Sequence, residues 1–388
     1  MQLKNHHEPN YTKKEQELLL KAALLEGVAA RQALDEWIAA FDCDGEIDRG
    51  TYRLLPLLLH NFKKQNLVHP LMNQLEGIYE RARSKNHQLF LEISKVLCWL
   101  RLAQIPTMVL KGAALTLQVY KNYAIRPMSD IDVLVPEGYA SQVVKLLEEK
   151  GWESSKDRCF TKDYKYRHSI NFKNESGIDV DLHWHPLKDS SMIAGKKKYD
   201  ELFWETAVPV KVGHESTLAP GLPEALFLVI CHGAWYKIHP QIRWIADALF
   251  LIRALRGEKD WQRFVLLVKH YHAHLRVNRA LAYLNKTYQA GIPRQVFEDL
   301  EQMAVTVPQR IVFHCSLGRP DDKHYAIIYK IPGLVDYLRV SGERSSIDLA
   351  AGFPGFLRHS MYNKNLNDFV NYFFPEWTRN ACGSSPPA

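Results

Sequence analysis

The sequence predicts an α+β fold in which a small mixed sheet lies between two extensive helical regions. Residues 14–104 carry apolar side chains at steps of three and four, the spacing of amphipathic helices. Short β-rich runs follow between residues 105 and 186, and helical spacing returns from residue 222. The 388 residues are therefore predicted to form an N-terminal helical region over 1–104, an α/β core over 105–220 and a C-terminal helical region over 221–388.

The two flanking regions are predicted from helical spacing alone. Within His87–Ala103, for example, Leu89, Ile93, Leu97 and Leu100 fall on one helix face. Residues 307–388 contain several Pro and Gly and are predicted to be irregular, ending in a disordered tail. The predicted helices are Lys14–Ala40, Leu54–Leu59, Leu67–Arg81 and His87–Ala103 before the core, and Glu224–Tyr236, Gln241–Leu255, Trp261–His272, Arg276–Ala290 and Arg294–Met303 after it.

The predicted core begins at Pro106, where the sequence pattern changes. A short apolar run, Thr107–Leu110, ends at Lys111-Gly112, as in a strand that leads into a helix. Gly151 stands where a glycine commonly ends a helix. The predicted strands are Thr107–Leu110, Asp130–Val135, His168–Phe172 and Ile178–Trp184, and the predicted helices are Ala113–Tyr120 and Tyr139–Lys150.

The composition argues against several classes of protein. A hydrophobic fraction of 46% and a charged fraction of 24% are typical of a globular chain. The six cysteines form no CxxC pair, so neither a zinc ribbon nor a redox motif is predicted. The N-terminus has no signal-peptide pattern and no apolar stretch reaches the ~20 residues of a membrane helix, so we expect a cytoplasmic protein without membrane contact. A net charge of +7 suits a phosphate-bearing partner, but nucleic acid is not expected because no basic-aromatic stripe is present.

The strongest chemical signal is the pair Asp130 and Asp132 on a predicted strand. Residues i and i+2 of a strand point to the same face, with Cα atoms roughly 6.5–7 Å apart. Two carboxylates placed in this way can hold one cation or bracket two. Mg²⁺ prefers oxygen ligands and is commonly held by one or two carboxylates together with substrate phosphates. A lone Asp-x-Asp is weak evidence, because a polar strand edge has the same pattern.

The chain upstream of this pair supports a phosphate site. Lys111-Gly112 opens a predicted helix, and a helix N-terminus with a small residue offers free N–H groups to a phosphate. Lys111 would add a point charge beside the phosphates. Taken alone, Lys-Gly is more simply a turn with a solvated lysine.

A third acidic position is predicted on the strand Ile178–Trp184. Asp179, Asp181, His183 and His185 alternate there and would share one face. Such a polar face is either exposed or functional, because burying unpaired polar groups is unfavourable. One aspartate, Asp181 or Asp179, would join Asp130 and Asp132. A zinc or manganese site made of both histidines and both aspartates is the alternative.

Together these segments resemble the nucleotidyltransferase fold of the DNA polymerase β type. They are most similar to a bacterial family of uncharacterised nucleotidyltransferases. The resemblance rests on the order and spacing of the segments and covers roughly residues 50–255. The matching segments are Ile105–Leu115, Arg126–Val135, Lys150–Trp152, Val180–Trp184, Leu222–His232 and Ile242–Asp247.

The resemblance implies a nucleotidyltransferase-like mixed sheet, dependence on Mg²⁺ (or Mn²⁺), and transfer of a nucleoside monophosphate from a nucleoside triphosphate, ATP or another. By position, Asp130, Asp132 and Asp181 match the metal-binding and catalytic carboxylates. Lys111 and Gly112 match the phosphate-side motif, and Arg126 either pairs with the triphosphate or braces its loop. The wider superfamily usually has Gly-Ser or Gly-Gly at the phosphate turn, where this chain has Lys-Gly-Ala.

Three functional hypotheses follow. The first is a Mg²⁺-dependent enzyme with an unidentified hydroxyl acceptor (a small molecule, sugar, peptide or protein), in which Asp181 also helps to deprotonate the acceptor. The second is a non-catalytic nucleotide- or partner-binding protein that keeps the fold. The third, an enzyme that modifies nucleic-acid ends, is the least expected. His232, Arg243 and Asp247 are predicted either to face the site or to pack between helices, with Arg243 and Asp247 forming a surface pair.

Overall fold

A computed structural model of the chain describes residues 11–40, 47–154, 167–187, 197–234 and 242–306, with residues 309, 310 and 313. The predicted tail, and nearly all of the region predicted to be irregular, lie outside these ranges. Within the described part of the chain, no helix has both the length and the apolar character needed to cross a membrane.

The described residues before the sheet form five helices, and two of the predicted boundaries are wrong. The predicted helix Lys14–Ala40 divides in two, because Leu25 is extended and Gly27 has a positive φ of 62°. Conversely, Leu67–Arg81 and His87–Ala103 are largely one 31-residue helix, since no Pro or Gly interrupts the chain between them. The helices are α1 (Lys14–Leu24), α2 (Gly27–Ala40), α3 (Arg49–Tyr52), α4 (Leu55–Lys64) and α5 (Met72–Leu102).

The centre of the fold is a mixed seven-stranded sheet, which confirms the predicted α+β class. The strands are β1 (Met108–Val109), β2 (Asp130–Leu134), β3 (Glu153–Ser154), β4 (Ser169–Lys173), β5 (Asp179–His183), β6 (Val208–Val212) and β7 (Glu215–Ala219). Their order is β3-β4-β5-β2-β1-β7-β6. Strand β2 is parallel to β5 and antiparallel to β1, and β1 is parallel to β7.

Three of these strands were not predicted. Strand β3 has only two residues. Strands β6 and β7 form a hairpin, and β6 is an edge strand that is largely exposed. Its Pro209 and Lys211 are residues that edge strands tolerate and central strands do not. The alternation of apolar residues in β6 was therefore too weak a signal from which to predict the strand.

The remaining helices surround the sheet. Between β1 and β2, α6 (Lys111–Leu115) continues into a π-helical turn at Thr116–Tyr120, and α7 (Ala140–Glu149) follows β2. The later helices are α8 (Lys197–Glu205), α9 (Leu222–Gly233), α10 (Arg243–Ala254), α11 (Glu258–His270), α12 (His274–Tyr288) and α13 (Arg294–Glu301).

Two apolar clusters hold the layers together. One joins all three predicted regions, with Leu19, Leu110 and Leu249 among its buried members. The other contains the sheet with Ile93 and Leu97 of α5, so the second half of this helix packs on the strands. The flanking helices are thus built into the same core as the sheet and form the walls around it.

Candidate active site

Three carboxylates meet where β2 and β5 run side by side. The parallel register pairs Asp132 directly with Asp181, and neighbouring strands lie about 4.8 Å apart. Asp130 stands two residues earlier on β2 and therefore projects to the same side. Asp130 is exposed, Asp181 is partly exposed and Asp132 is buried. The strands thus present one deep and two accessible carboxylates.

His183 lies beneath the carboxylates and joins two of them. Its Nε2 is 3.1 Å from Oδ1 of Asp132 and 2.9 Å from Oδ2 of Asp181, and its side chain is fully buried. Its Nδ1 is 3.2 Å from the carbonyl oxygen of His185. Because all three partners are acceptors, both ring nitrogens donate and the ring is an imidazolium. Burial opposes this charge, but the carboxylates outweigh it and raise the pKa of His183 to about 9.

Lys111 contacts the same aspartate from the other side. Its Nζ is 2.6 Å from Oδ1 of Asp132. The backbone of Lys111 has a φ of 43°, which is uncommon for a residue other than glycine. Such a conformation persists only where its surroundings impose it, and it often marks a functional site. Here it accompanies a side chain that reaches the central carboxylate.

The charges around Asp132 set the ionisation of the cluster. Burial favours the neutral acid, but Lys111 and His183 hold the pKa of Asp132 well below its usual value. The pKa of Asp181 is also lowered, again against burial and mainly by His183. Although Asp130 is exposed as a residue, desolvation of its carboxyl group, together with the neighbouring charge of Asp132, instead raises its pKa. A cation in the cleft would favour its ionised form.

Within the part of the chain that the structure describes, Asp132, Asp181 and His183 form a cluster of possible metal ligands. One ligand atom from each lies within 4.8 Å of the others. Asp179 is on the same face of β5 but pairs with Lys173 of β4 at 3.5 Å. His185 lies beyond the strand and contacts Asp200 of α8. This geometry favours Asp181 over Asp179 as the third carboxylate, and it separates His185 from the four-ligand zinc or manganese site considered above.

Arg126 is held by a buried ion pair with Asp247. Its Nε and Nη2 each donate to a carboxylate oxygen at 2.8 Å, and the side chains are 6% and 5% exposed. The hydroxyl of Tyr120 donates to the same carboxylate at 2.8 Å. The predicted surface pair of Asp247 with Arg243 is therefore wrong: α10 turns Asp247 into the interior, where the bidentate fork of Arg126 meets it.

Gly112 allows this arginine to approach the start of α6. A Cβ added at this position would collide with the guanidinium of Arg126 and would lie 2.7 Å from Sδ of Met128. The glycine is therefore required for packing against the loop that precedes β2. Its predicted contact with phosphate remains a prediction.

A buried asparagine fixes the same loop, and the sequence analysis missed it. Asn86 of α5 is fully buried. Its Nδ2 donates to the carbonyl oxygens of Tyr123 and Arg126, at 2.6 and 2.9 Å, and its Oδ1 accepts from the amide of Met128 at 3.0 Å. The signal was present, because Asn86 interrupts the apolar face of a helix, where a polar group needs partners.

The carboxylates open into a cleft of about 940 Å³ between the sheet and the flanking helices. Lys111, Gly112, Arg126, Asp130, Asp132 and Asp181, the six predicted site residues, all line it. The cleft is also lined by Arg53, which follows α3, by Arg243, at the start of α10, and by His232. The fold thus brings acidic groups from the sheet into one cleft with basic groups from both helical regions.

Comparisons with known proteins identify the family of the chain. A family model described as an uncharacterised nucleotidyltransferase matches residues 51–289, which is more than half of the chain. A crystal structure of an antigenic nucleotidyltransferase-like protein from Paracoccidioides brasiliensis is similar over 56% of this chain and 94% of that chain, with 12% identity and a TM-score of 0.34. A search of curated proteins finds no significant match.

Proposed function

Because the chain belongs to the family of uncharacterised nucleotidyltransferases, we propose that it is a Mg²⁺-dependent enzyme that transfers a nucleoside monophosphate from a nucleoside triphosphate to a hydroxyl acceptor. The observation that carries the proposal is the parallel register of β2 and β5. It places Asp132 beside Asp181, with Asp130 on the same side, at the base of a cleft with a basic wall.

The donor groups fit a hard divalent cation. Asp130, Asp132 and Asp181 offer carboxylate oxygens, the ligands that Mg²⁺ prefers. Desolvation and the neighbouring charge of Asp132 raise the pKa of Asp130, and a cation beside it would favour its ionised form. Mn²⁺ would accept the same oxygens. When bound, the metal would neutralise charge on the phosphates and polarise the phosphorus under attack.

The protein groups have separable tasks in this proposal. Lys111 and His183 both contact Oδ1 of Asp132, and they fix the orientation of this buried carboxylate. Asp181 is ionised at neutral pH and partly exposed, so it would accept a hydrogen bond from the acceptor hydroxyl and orient it. Attack of that oxygen on the α-phosphorus forms the new P–O bond, and the hydroxyl proton passes by way of the Asp181 carboxylate to solvent. Pyrophosphate leaves with the electrons of the bond between the α-phosphorus and the bridging oxygen.

The non-catalytic alternative is favoured by one observation. Lys111 and Arg126, the two cations expected at the phosphates, are both engaged by carboxylates of the protein. A protein that binds nucleotide without turnover would be consistent with this pairing. We prefer the enzyme because all three carboxylates face the cleft.

Calorimetric titration of ATP, GTP, CTP and UTP, with and without Mg²⁺, tests the proposal. Wild-type protein is expected to bind at least one nucleotide only with Mg²⁺. Asp132→Asn and Asp181→Asn should abolish that binding, whereas Asp179→Asn, a matched change on the same strand face, should preserve it. Failure of folded wild-type protein to bind any of the four would refute the proposal.

Turnover separates the two candidates. With α-labelled nucleotide and Mg²⁺, an enzyme is expected to transfer label to an acceptor in a cell extract and to release pyrophosphate, and the Asp132→Asn protein should do neither. Mg²⁺-dependent binding without label transfer in any extract fraction would favour the binding protein.

A further inference from the structure

Two arginines line the cleft beside the carboxylates. Among the described residues, no carboxylate forms an ion pair with Arg53 or Arg243. Arg53 donates to Oγ of Ser129 at 3.0 Å, and Arg243 donates to the carbonyl oxygen of Pro127. Both acceptors are neutral. Asp130 is near enough to favour the charge of Arg53, but neither arginine is neutralised by direct contact with a carboxylate.

The surroundings of Arg243 disfavour its positive charge. Burial, together with the neighbouring charges of Arg126 and Arg53, lowers the pKa of Arg243 to about 9, so it stays charged at neutral pH. Arg243 is also the first residue of the 12-residue helix α10, whose N-terminus already carries partial positive charge. Asp247 is near enough to favour the charge, but both of its oxygens bind Arg126. An anion in the cleft would relieve this repulsion.

We propose that Arg53 and Arg243 form the binding site for the triphosphate chain of the nucleotide donor. This inference rests on the proposed function and assigns the phosphates to residues outside the predicted motif. Lys111 and Arg126 instead serve to hold Asp132 and Asp247. Arginine suits this task because its planar fork binds two phosphate oxygens at once.

The position of the pair agrees with a bound triphosphate. Ser129 accepts from Arg53 and lies 3.1 Å from Oδ1 of Asp130, so a single side chain separates the arginine from the carboxylates. A phosphate chain beside Arg53 would therefore reach the proposed metal ligands. Because Arg53 follows α3 and Arg243 begins α10, the proposed site needs residues from both helical regions.

Inorganic tripolyphosphate is the probe that tests this site. We would titrate it calorimetrically, at low salt and with EDTA, into wild-type protein, Arg53→Gln and Arg243→Gln. Each variant should lose affinity by roughly ten- to hundredfold, the effect of removing a charge-assisted hydrogen bond. Arg294→Gln is the matched control, since the Arg294 side chain is 92% exposed on α13 and should bind like wild type.

Folding is checked on the same samples. Removing one of several mutually repelling charges should leave the urea midpoint unchanged or raise it, whereas a purely structural arginine would lower it. Arg53 and Arg243 lie on different elements, so a local defect in one does not affect the other test. Unchanged affinity in both variants, an equal loss in Arg294→Gln, or no binding by wild type would overturn the inference.

The outcome is separate from that of the proposed function, because the titration contains no nucleotide, metal or acceptor. Tripolyphosphate binding that depends on both arginines, without Mg²⁺-dependent nucleotide binding, would keep the anion site and refute the enzyme. Nucleotide binding that is insensitive to both arginines would refute this site alone.

Discussion

Removal of the Asp247 carboxylate is expected to destabilise the protein severely. Asp247→Asn preserves the side-chain volume but removes the negative charge that accepts two hydrogen bonds of 2.8 Å from Arg126. Both side chains are almost fully buried, so water cannot replace the lost partner. Breaking a buried pair by removing one partner costs about 3–5 kcal/mol, because the other charge remains in the interior.

A double-mutant cycle shows whether the pair acts as a unit. Arg126→Met should also destabilise, because it leaves the Asp247 carboxylate buried with only Tyr120 as a donor. The double variant Arg126→Met/Asp247→Asn leaves no unpaired buried charge. Its loss of unfolding free energy should therefore be smaller than the sum of the two single losses by ~2 kcal/mol or more. Urea unfolding followed by circular dichroism gives each free energy.

Glu298→Gln is the matched control, because Glu298 pairs with Arg294 on the exposed surface of α13. Loss of an exposed pair is expected to change stability by less than about 1 kcal/mol. The reasoning would be refuted if Asp247→Asn cost no more than this control, or if the two single effects were additive.

The ion pair also predicts a pH dependence. Against the effect of burial, Arg126 holds the pKa of Asp247 below its ordinary value of 3.8. The carboxylate therefore stabilises the fold fully above pH 3.8, and this stabilisation is lost as the pH falls through the lower folded-state pKa. The difference in unfolding free energy between wild type and Asp247→Asn should narrow below pH 3.8. A constant difference would show that the charge is not responsible.

Three further substitutions test the packing around the site, each by urea unfolding. Gly112→Ala should cost about 1–3 kcal/mol and weaken nucleotide binding, because the new methyl group displaces Arg126; unchanged stability would refute the close approach. Gly233→Ala should lower the unfolding free energy by at least as much, because its Cβ would overlap the side chain of Trp244 where α9 meets α10. Unchanged stability would mean that the two helices can move apart without loss. Asn86→Ala should cost roughly 2–3 kcal/mol by leaving three backbone groups of one loop without their partner, and a cost below that of the exposed control would contradict this role.

The acidic residues of the site could be predicted because strands have a period of two. That period alone places Asp130 and Asp132, and likewise Asp181 and His183, on one side of their strands. Their mutual register could not be predicted in the same way, because β2 and β5 are joined by more than forty residues, and the pattern of one strand does not specify its neighbour. The resemblance to a family led us to group Asp181 with Asp130 and Asp132, and the match of the family model confirms the family itself.

The partners of the basic residues were harder to predict. Arg126 and Asp247 are 121 residues apart, and Arg53 and Ser129 are 76 apart. Local spacing instead suggested Arg243 for Asp247, because residues four apart share a helix face. In the structure Asp247 pairs with Arg126 instead. The apolar face of α10 packs on the core, and Asp247 lies on that face, so its side chain is buried.

Asn86 of α5 could be recognised from local sequence as a residue that needs partners, but the partners themselves could not be predicted. Asn86 stands on the helix face that also carries Ala82, Leu89 and Phe90. A polar amide on such a face requires hydrogen-bond partners, so the sequence alone indicates that α5 supports some other segment of the chain. The fold identifies that segment as the loop that leads into Asp130 and Asp132. It follows that the N-terminal helical region is part of the candidate site, because it positions the loop before β2 through Asn86 and lines the cleft through Arg53.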